Sequence, residues 1–260
     1  MGYLVYNYYD SNCAGGDIMD FLNSEIEVSV RKLKRKKKAV KITKVIVLSV
    51  LLALLLTYIV MNIIYNNGNF SITLDKNLYF SRGIVIYDDP DYKVFRTELY
   101  AKSVDYFDNI SYKWLPDDLD STNSSHNGDN YVAYTFYVEN TGSDISDYWY
   151  QIIIDDVIKN VDDAVRIRLY RNGSYVTYAK LGMNGEPEKE TTPFVNSELV
   201  TFDHIEQFKP GDIDKYTIVM WVEGSDLDCT DNILGGEIKM HMQFNSEFKE
   251  VDANKFKKKE

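Results

Sequence analysis

Two cysteines, three histidines and five prolines in 260 residues rule out several kinds of protein. Cys13 and Cys229 are too few for a disulfide framework, so any domain must stand on its own apolar core. His126, His204 and His241 are far apart in sequence and form no His-Glu-x-x-His pair, which removes the usual zinc signature. No Gly-x-Ser-x-Gly elbow is present, and no base is positioned beside Cys229 by any motif. No glycine-rich loop is suited to cradling a phosphate, and Gly235-Gly236 reads as a turn or bulge before a strand. The sequence therefore predicts no enzyme and calls for no cofactor.

Charge is missing in one place above all. The stretch from Val45 to Ile64 holds no charged residue, and only Ser49, Thr57 and Asn62 are strongly polar. Twenty helical residues cover roughly 30 Å, the thickness of a bilayer's hydrocarbon core. Soluble helices seldom run five turns without a charge, so residues 44–65 are predicted to be a transmembrane helix. The chain carries a net charge of −11, unevenly spread. Residues 1–65 hold nine Lys/Arg against five Asp/Glu, and the remaining residues hold twenty against thirty-five. All nine early cations fall between Arg31 and Lys44: Arg31, Lys32, Lys34, Arg35, Lys36, Lys37, Lys38, Lys41 and Lys44.

Basic flanks stay in the cytoplasm, so the expected topology is type II, with residues 1–43 inside and the C-terminal bulk outside. The basic run is then placed to meet anionic headgroups of the inner leaflet, while Tyr58 and Tyr65 suit the outer interface. Nuclear targeting or nucleic-acid binding is the other reading of such a run. Its position against the span and the acidic remainder argue against nucleic acid as a partner. The residues after the span, Asn-Ile-Ile-Tyr-Asn-Asn-Gly-Asn-Phe-Ser, offer no small-x-small cleavage site, so an uncleaved signal-anchor is expected. Met1-Gly2 is not read as a myristoylation signal, because position 6 is Tyr. In this topology Cys13 and Cys229 lie on opposite sides and cannot pair.

Residues 1–43 begin with Tyr3, Tyr6, Tyr8 and Tyr9, then turn helical. Gly15-Gly16 precedes Asp17, a plausible N-cap, and Ile18, Phe21, Leu22, Ile26, Val30 and Leu33 recur at helical spacing. This helix either continues into the span or lies along the inner leaflet. Asn66-Asn67-Gly68-Asn69 reads as a turn-prone exit with no long linker, which predicts a domain close to the membrane.

From Phe70 the period becomes two. The predicted strands are 70–74, 83–87, 94–104, 110–114, 131–139, 148–155, 165–171, 174–180, 199–202, 215–222 and 237–244. Arg171-Asn172-Gly173-Ser174 is a two-residue hairpin signal and Lys209-Pro210-Gly211-Asp212 a second turn. Asp155–Ala164 reads as a short helix or bent strand, Asp117–Asn130 as a long polar loop, and residues 251–260 as a basic tail. The fold class expected for residues 66–250 is an all-β extracytoplasmic sandwich of antiparallel sheets, of jelly-roll or immunoglobulin-like type, carried on one N-terminal transmembrane helix.

Two features invite a site. Asp226, Asp228 and Asp231 in Gly-Ser-Asp-Leu-Asp-Cys-Thr-Asp-Asn could supply oxygens to Ca²⁺, as could the acids of 88–91 and 117–129. None has EF-hand spacing, and solvated acidic loops are the preferred reading. The 21 tyrosines and three tryptophans are expected mostly in the core, with Tyr148, Trp149 and Tyr150 as the candidate partner face for carbohydrate or protein. Trp149 as a core anchor is the competing reading.

Tyr134–Ile154, YTFYVENTGSDISDYWYQIII, resembles the strand-Asn-Thr-Gly-strand pattern of the camelysin/TasA-type envelope and biofilm-fibre proteins of Gram-positive bacteria. Phe208–Phe244 is similar to the closing strands of related membrane-anchored bacterial proteins. The resemblance covers about a quarter of the chain. It implies a jelly-roll-like domain that assembles or adheres outside the cell, with an envelope protein or the cell wall as partner. The peptidase activity attributed to some members has no matching motif here. The absence of disulfides and the Lys-, Asn-, Ile- and Tyr-rich composition fit a bacterial envelope as well. The alternative function is a sensor or transport-associated component that signals through the inner segment.

Overall fold

A computed structural model describes residues 14–65, 70–104, 106 and 108–251, and of these it leaves the side chains of 14–26 and 62–65 undescribed. The N-terminal tyrosines, Cys13, the Asn66–Asn69 exit and the tail beyond Val251 lie outside the described residues. The chain divides into two compact units, Met1–Ile64 and Tyr65–Glu260.

The first unit is one helix, α1 (Ala14–Tyr65), of 52 residues. No proline or glycine interrupts it after Gly16. It begins three residues before Asp17, so Asp17 is not the N-cap. Glycines are tolerated in a first turn, where the N–H groups have no intrahelical partner. The basic segment and the apolar span belong to the same helix. Within Glu27–Met61 the helix is long and apolar enough to cross a membrane. Three of its hydroxyls are satisfied inside the helix: Thr43 Oγ1 donates to Ala39 O (3.0 Å), Ser49 Oγ to Ile46 O (2.8 Å) and Thr57 Oγ1 to Ala53 O (2.7 Å). An apolar surround demands this internal satisfaction.

The second unit is mostly β-sheet. Its elements are β1 (Phe70–Leu74), α2 (Lys76–Arg82), β2 (Ile84–Tyr87), β3 (Glu98–Tyr100), β4 (Ser124–Ser125), β5 (Val132–Asn140), β6 (Ser146–Ile158), β7 (Val165–Arg171), β8 (Ser174–Ala179), β9 (Thr192–Pro193), β10 (Leu199–Phe208), β11 (Ile213–Val222) and β12 (Glu237–Asn245). One sheet runs β10-β6-β12-β1-β3 and the other β2-β5-β11-β7-β8-β9, with β4 beside β5. Both sheets are mixed. β1 lies parallel to β12 and β9 parallel to β8, whereas sequence reading expects antiparallel pairs throughout. Local turn signals cannot reveal a pairing between the first strand and the last.

The sheets share one core. Phe136 of β5 and Tyr216 of β11 meet Phe244 of β12, with ring centroids 5.9 and 5.6 Å apart, and Tyr148 of β6 meets Tyr216 across the layers. Period-two alternation builds this core. Ser146, Tyr148, Tyr150, Ile152 and Ile154 of β6 turn inward, and the intervening residues face out. A smaller apolar cluster of Ile110, Leu115, Leu119, Ala133, Tyr170, Val219 and Trp221 lies on the outer face of the second sheet, beneath residues 108–131.

The hairpin β7–β8 turns on Asn172 (φ 51°) and Gly173 (φ 85°), the paired positive angles of a two-residue turn. Two predicted strands are not formed as expected. Residues 94–104 yield only β3 and a bridge at Arg96, and 110–114 becomes a bridge at Ile110 followed by a 3₁₀ turn, Tyr112–Trp114. α2 has no counterpart among the predicted elements. Asp75 caps it by accepting Asn77 N–H (2.7 Å), and Gly83 ends it at φ 69°. Asp155–Ala164 is strand to Ile158 and then a 3₁₀ turn, Val161–Asp163.

Candidate binding surfaces

Alternation along β6 separates the three predicted face residues. Tyr148 and Tyr150 are buried between the sheets, and of the three only Trp149 lies on the outer face. The hydroxyl of Tyr148 donates to Asp214 and lies 2.9 Å from the Tyr216 hydroxyl. Asp214 also accepts from Arg171 (3.0 Å) and Asn172 (2.6 Å). Burial, together with the neighbouring Tyr216 and Asp214, pushes the Tyr148 hydroxyl well above the ordinary tyrosine range. These phenols stay neutral and act as a polar bolt between β6 and β11 rather than as acids or bases.

Trp149 stands on the outer face of the first sheet. His204 of β10 stacks on it at 4.2 Å with rings 5° from parallel, so one face of the indole is already taken. Phe202 lies beyond. The chain after β12 then turns back over this face, and Phe248 sits 5.6 Å from Trp149 and 5.0 Å from Phe202. Next to them Gln151, fully buried, grips the returning chain: its amide donates to Lys249 O (2.8 Å) and accepts from Lys249 N–H (3.3 Å) and Gln243 (3.2 Å). The Lys249 ammonium pairs with Asp75 at 3.1 Å. The N–H of Asn77 outweighs partial burial and, with Lys249, holds the Asp75 carboxyl below the ordinary aspartate range.

The acidic candidates part company. Asp226 and Asp228 come together with Glu188, their carboxylate oxygens lying within 4.8 Å of one another, while Asp231 lies apart in a 3₁₀ turn. Arg166 occupies the middle of this group, bonding Asp226 (2.5 Å) and Glu188 (3.1 Å). A buried guanidinium thus already provides the positive charge that a cation would bring. Asp228 stands outside these two ion pairs and accepts the Met183 N–H instead. Burial, then the charges of Asp226 and Asp163, push it above the ordinary range, and burial with Asp226 does the same to Glu188. The acids of the other loops serve local structure: Asp88 accepts from Tyr134 (2.9 Å), and Asp89 caps the N–H of Asp91 (2.9 Å).

Beside Arg166 a cleft of about 270 Å³ opens on the outer face of the second sheet. Arg168 lies on its floor between Tyr175 (4.5 Å) and Trp221 (5.3 Å) and donates to Thr177 (3.0 Å). Burial alone would raise the Glu223 carboxyl. Hydrogen bonds from Ser225, Trp221 and the N–H groups of Tyr112 and Ser225 outweigh it and hold Glu223 low. Sequence reasoning passed over this cleft, although the alternation in Val-Arg-Ile-Arg-Leu-Tyr-Arg places Arg166 and Arg168 on one face.

The remaining candidates have plain roles. His126 is bonded on both ring nitrogens to main-chain carbonyls, of Ser124 (2.9 Å) and Leu119 (2.8 Å), and His241 pairs with Asp155 (2.9 Å). Cys229 is a free, half-buried thiol, raised by burial and by the nearby carboxylates of Asp226 and Asp108. It borders a cavity of about 240 Å³ with Val161, Val165, Val222 and Ile238. Arg31, Lys32, Lys34, Arg35, Lys36, Lys37, Lys38, Lys41 and Lys44 all lie exposed on α1, as does Tyr58. At 100° per residue the cations surround the helix rather than forming one stripe. Tyr65 is its last residue.

No described protein family and no curated protein matches this chain. Among solved structures, a β-glucosidase from Kluyveromyces marxianus, determined with glucose, aligns with 65% of this chain and 15% of its own length. The identity is 10% and the TM-score 0.22, a likeness that carries no argument about fold or activity.

Proposed function

We propose that this chain is a single-pass membrane-anchored protein of a bacterial cell envelope with a structural, adhesive or assembly role. In this reading residues 1–43 are cytoplasmic, α1 crosses the plasma membrane, and the β-unit is a jelly-roll or immunoglobulin-like sandwich outside it. The observation that carries the proposal is a helix long and apolar enough to cross a membrane, followed in the chain by a β-unit whose outer sheet face bears Trp149, Phe202 and Phe248. The resemblance of Tyr134–Ile154 to camelysin/TasA-type proteins supports the same role. Anionic inner-leaflet lipid is the partner of the cationic collar, at about 1 kcal/mol per residue near the surface. An envelope protein or the cell wall is the partner of the β-unit. The test is co-sedimentation of the protein with purified envelope fragments. The reading predicts retention that falls severalfold with Phe202→Ala, and release of all the protein by a salt wash would refute it.

A sensor role is the second reading, favoured by the continuity of α1 from Ala14 through the span. It predicts that deleting residues 1–30 abolishes the cellular phenotype. The adhesive reading predicts that the phenotype survives.

A further inference from the structure

We infer that the β-unit docks by one end on a lipid surface, with the loop tips Met183, Leu227 and Leu234 seated among uncharged headgroups. The inference rests on the membrane-anchored reading above and adds a lipid contact to it, separate from the aromatic face.

Strand directions define the end in question. β12 runs parallel to β1, with Met240 beside Phe70, so both strands start at one end of the first sheet. β6 finishes there, Ile158 lying opposite Glu237. After residues 159–164 the chain enters β7, so the same end of the second sheet holds the start of β7. It also holds the end of β11, with Val222 opposite Val165, and the end of β8, with Ala179 opposite Arg166. Three connections are made at this end: 159–164, 180–191 and 223–236.

At their tips the usual polarity is reversed. The Asp226 side chain is wholly buried on Arg166, yet the next residue, Leu227, is 85% exposed. Met183 is 83% exposed, and its N–H, accepted by Asp228, ties its loop to that of Leu227. Leu234 is 57% exposed, and the Lys159 ammonium, donating to the Leu234 carbonyl, holds the 223–236 loop to 159–164. A loop that faces water gains by turning its charge out and its leucine in. Grouped apolar tips mark a surface that meets an apolar partner.

Chain length names that partner. Four residues, 66–69, separate the last residue of α1 from the first of β1. Five chain steps reach at most about 18 Å. With α1 crossing a bilayer, the end at which β1 starts is the one this link keeps near the headgroups. The tips at that end need no second protein to find an apolar surface. Charge then selects among lipids. Arg166 holds Asp226 and Glu188, and Lys180 holds Asp162 and Asp163. Glu186, Asp228 and Asp231 add further negative charge, so anionic headgroups would repel this end and uncharged ones fit it.

The test uses full-length protein reconstituted into phosphatidylcholine vesicles whose acyl chains are brominated near the headgroup. Each variant adds one tryptophan: Leu227→Trp, Met183→Trp, Phe80→Trp or Val50→Trp. Phe80 is 75% exposed and lies on α2, which follows the opposite end of β1. Val50 lies within the span. Relative to wild type, the added emission of Leu227→Trp and of Met183→Trp should be quenched severalfold more than that of Phe80→Trp. Equal quenching at the two tips and at Phe80→Trp would overturn the inference. So would tip quenching that appears only when phosphatidylglycerol is included. If Val50→Trp is quenched and the tips are not, this inference alone falls. If Val50→Trp is not quenched either, the membrane-anchored reading falls with it.

Discussion

Arg166 is the residue on which the 180–190 and 223–230 loops converge. Its guanidinium bonds Glu188 and a fully buried Asp226, and a broken buried pair leaves an uncompensated charge. Arg166→Leu is expected to cost about 3–5 kcal/mol in chemical denaturation. Adding calcium should leave the wild-type midpoint unchanged, because the cation position is taken by the protein itself. Asp228 behaves in the opposite sense. Its carboxyl is raised in the folded state, so folding favours its protonated form. Its contribution is therefore present at acidic pH, below the ordinary aspartate value of about 3.9, and is lost as pH rises through the raised folded value. Asp228→Asn mimics the protonated group. It should raise the unfolding midpoint at pH 7 and remove the part of the pH dependence that Asp228 contributes as pH falls towards the ordinary aspartate value. A midpoint unchanged by the substitution at pH 7 would contradict this account.

At the scale of elements, the strands legible in the sequence are those whose alternation is paid out against a core. β5, β6, β7, β8, β11 and β12 fall where Tyr, Phe, Ile and Val repeat at period two, and Asn172-Gly173 marks their tightest turn. The sequence predicts only residues 199–202 of β10, because Asp203, His204 and Glu206 interrupt its apolar pattern. It runs to Phe208 as an edge strand, where polar side chains face outward at little cost. Asp203 accepts the N–H of His204 (2.8 Å), and the pairing is irregular between Ile205 and Phe208. These features blunt the edge. The site was only half legible. Period two alone puts Trp149 opposite to Tyr148 and Tyr150, but the return of Phe248 and Lys249 over that face depends on contacts about a hundred residues apart. α2 was missed although Asp75 and Gly83 are its proper caps, since a seven-residue helix has too few apolar positions to show a period. Gly83 tests this junction. A Cβ there would lie 2.6 Å from Gly142 Cα, and φ is +69°. Gly83→Ala should destabilise the β-unit by about 2–4 kcal/mol, combining left-handed strain and overpacking, as read from its thermal midpoint.

For the whole molecule, the account turns on a division of charge. Nine cations precede the uncharged run, and the residues after it are strongly acidic. The continuity of α1 brings that cationic collar and the apolar span into one rod, and cations on all its sides suit a helix passing through a headgroup layer better than one lying along it. The measurement that tests the central proposal most directly is epitope accessibility in intact cells, with one tag at each end of the full-length chain. The account predicts that added protease removes the C-terminal tag at once and reaches the N-terminal tag only after permeabilisation. An N-terminal tag cleaved in intact cells, with a protected C-terminal tag, would contradict it.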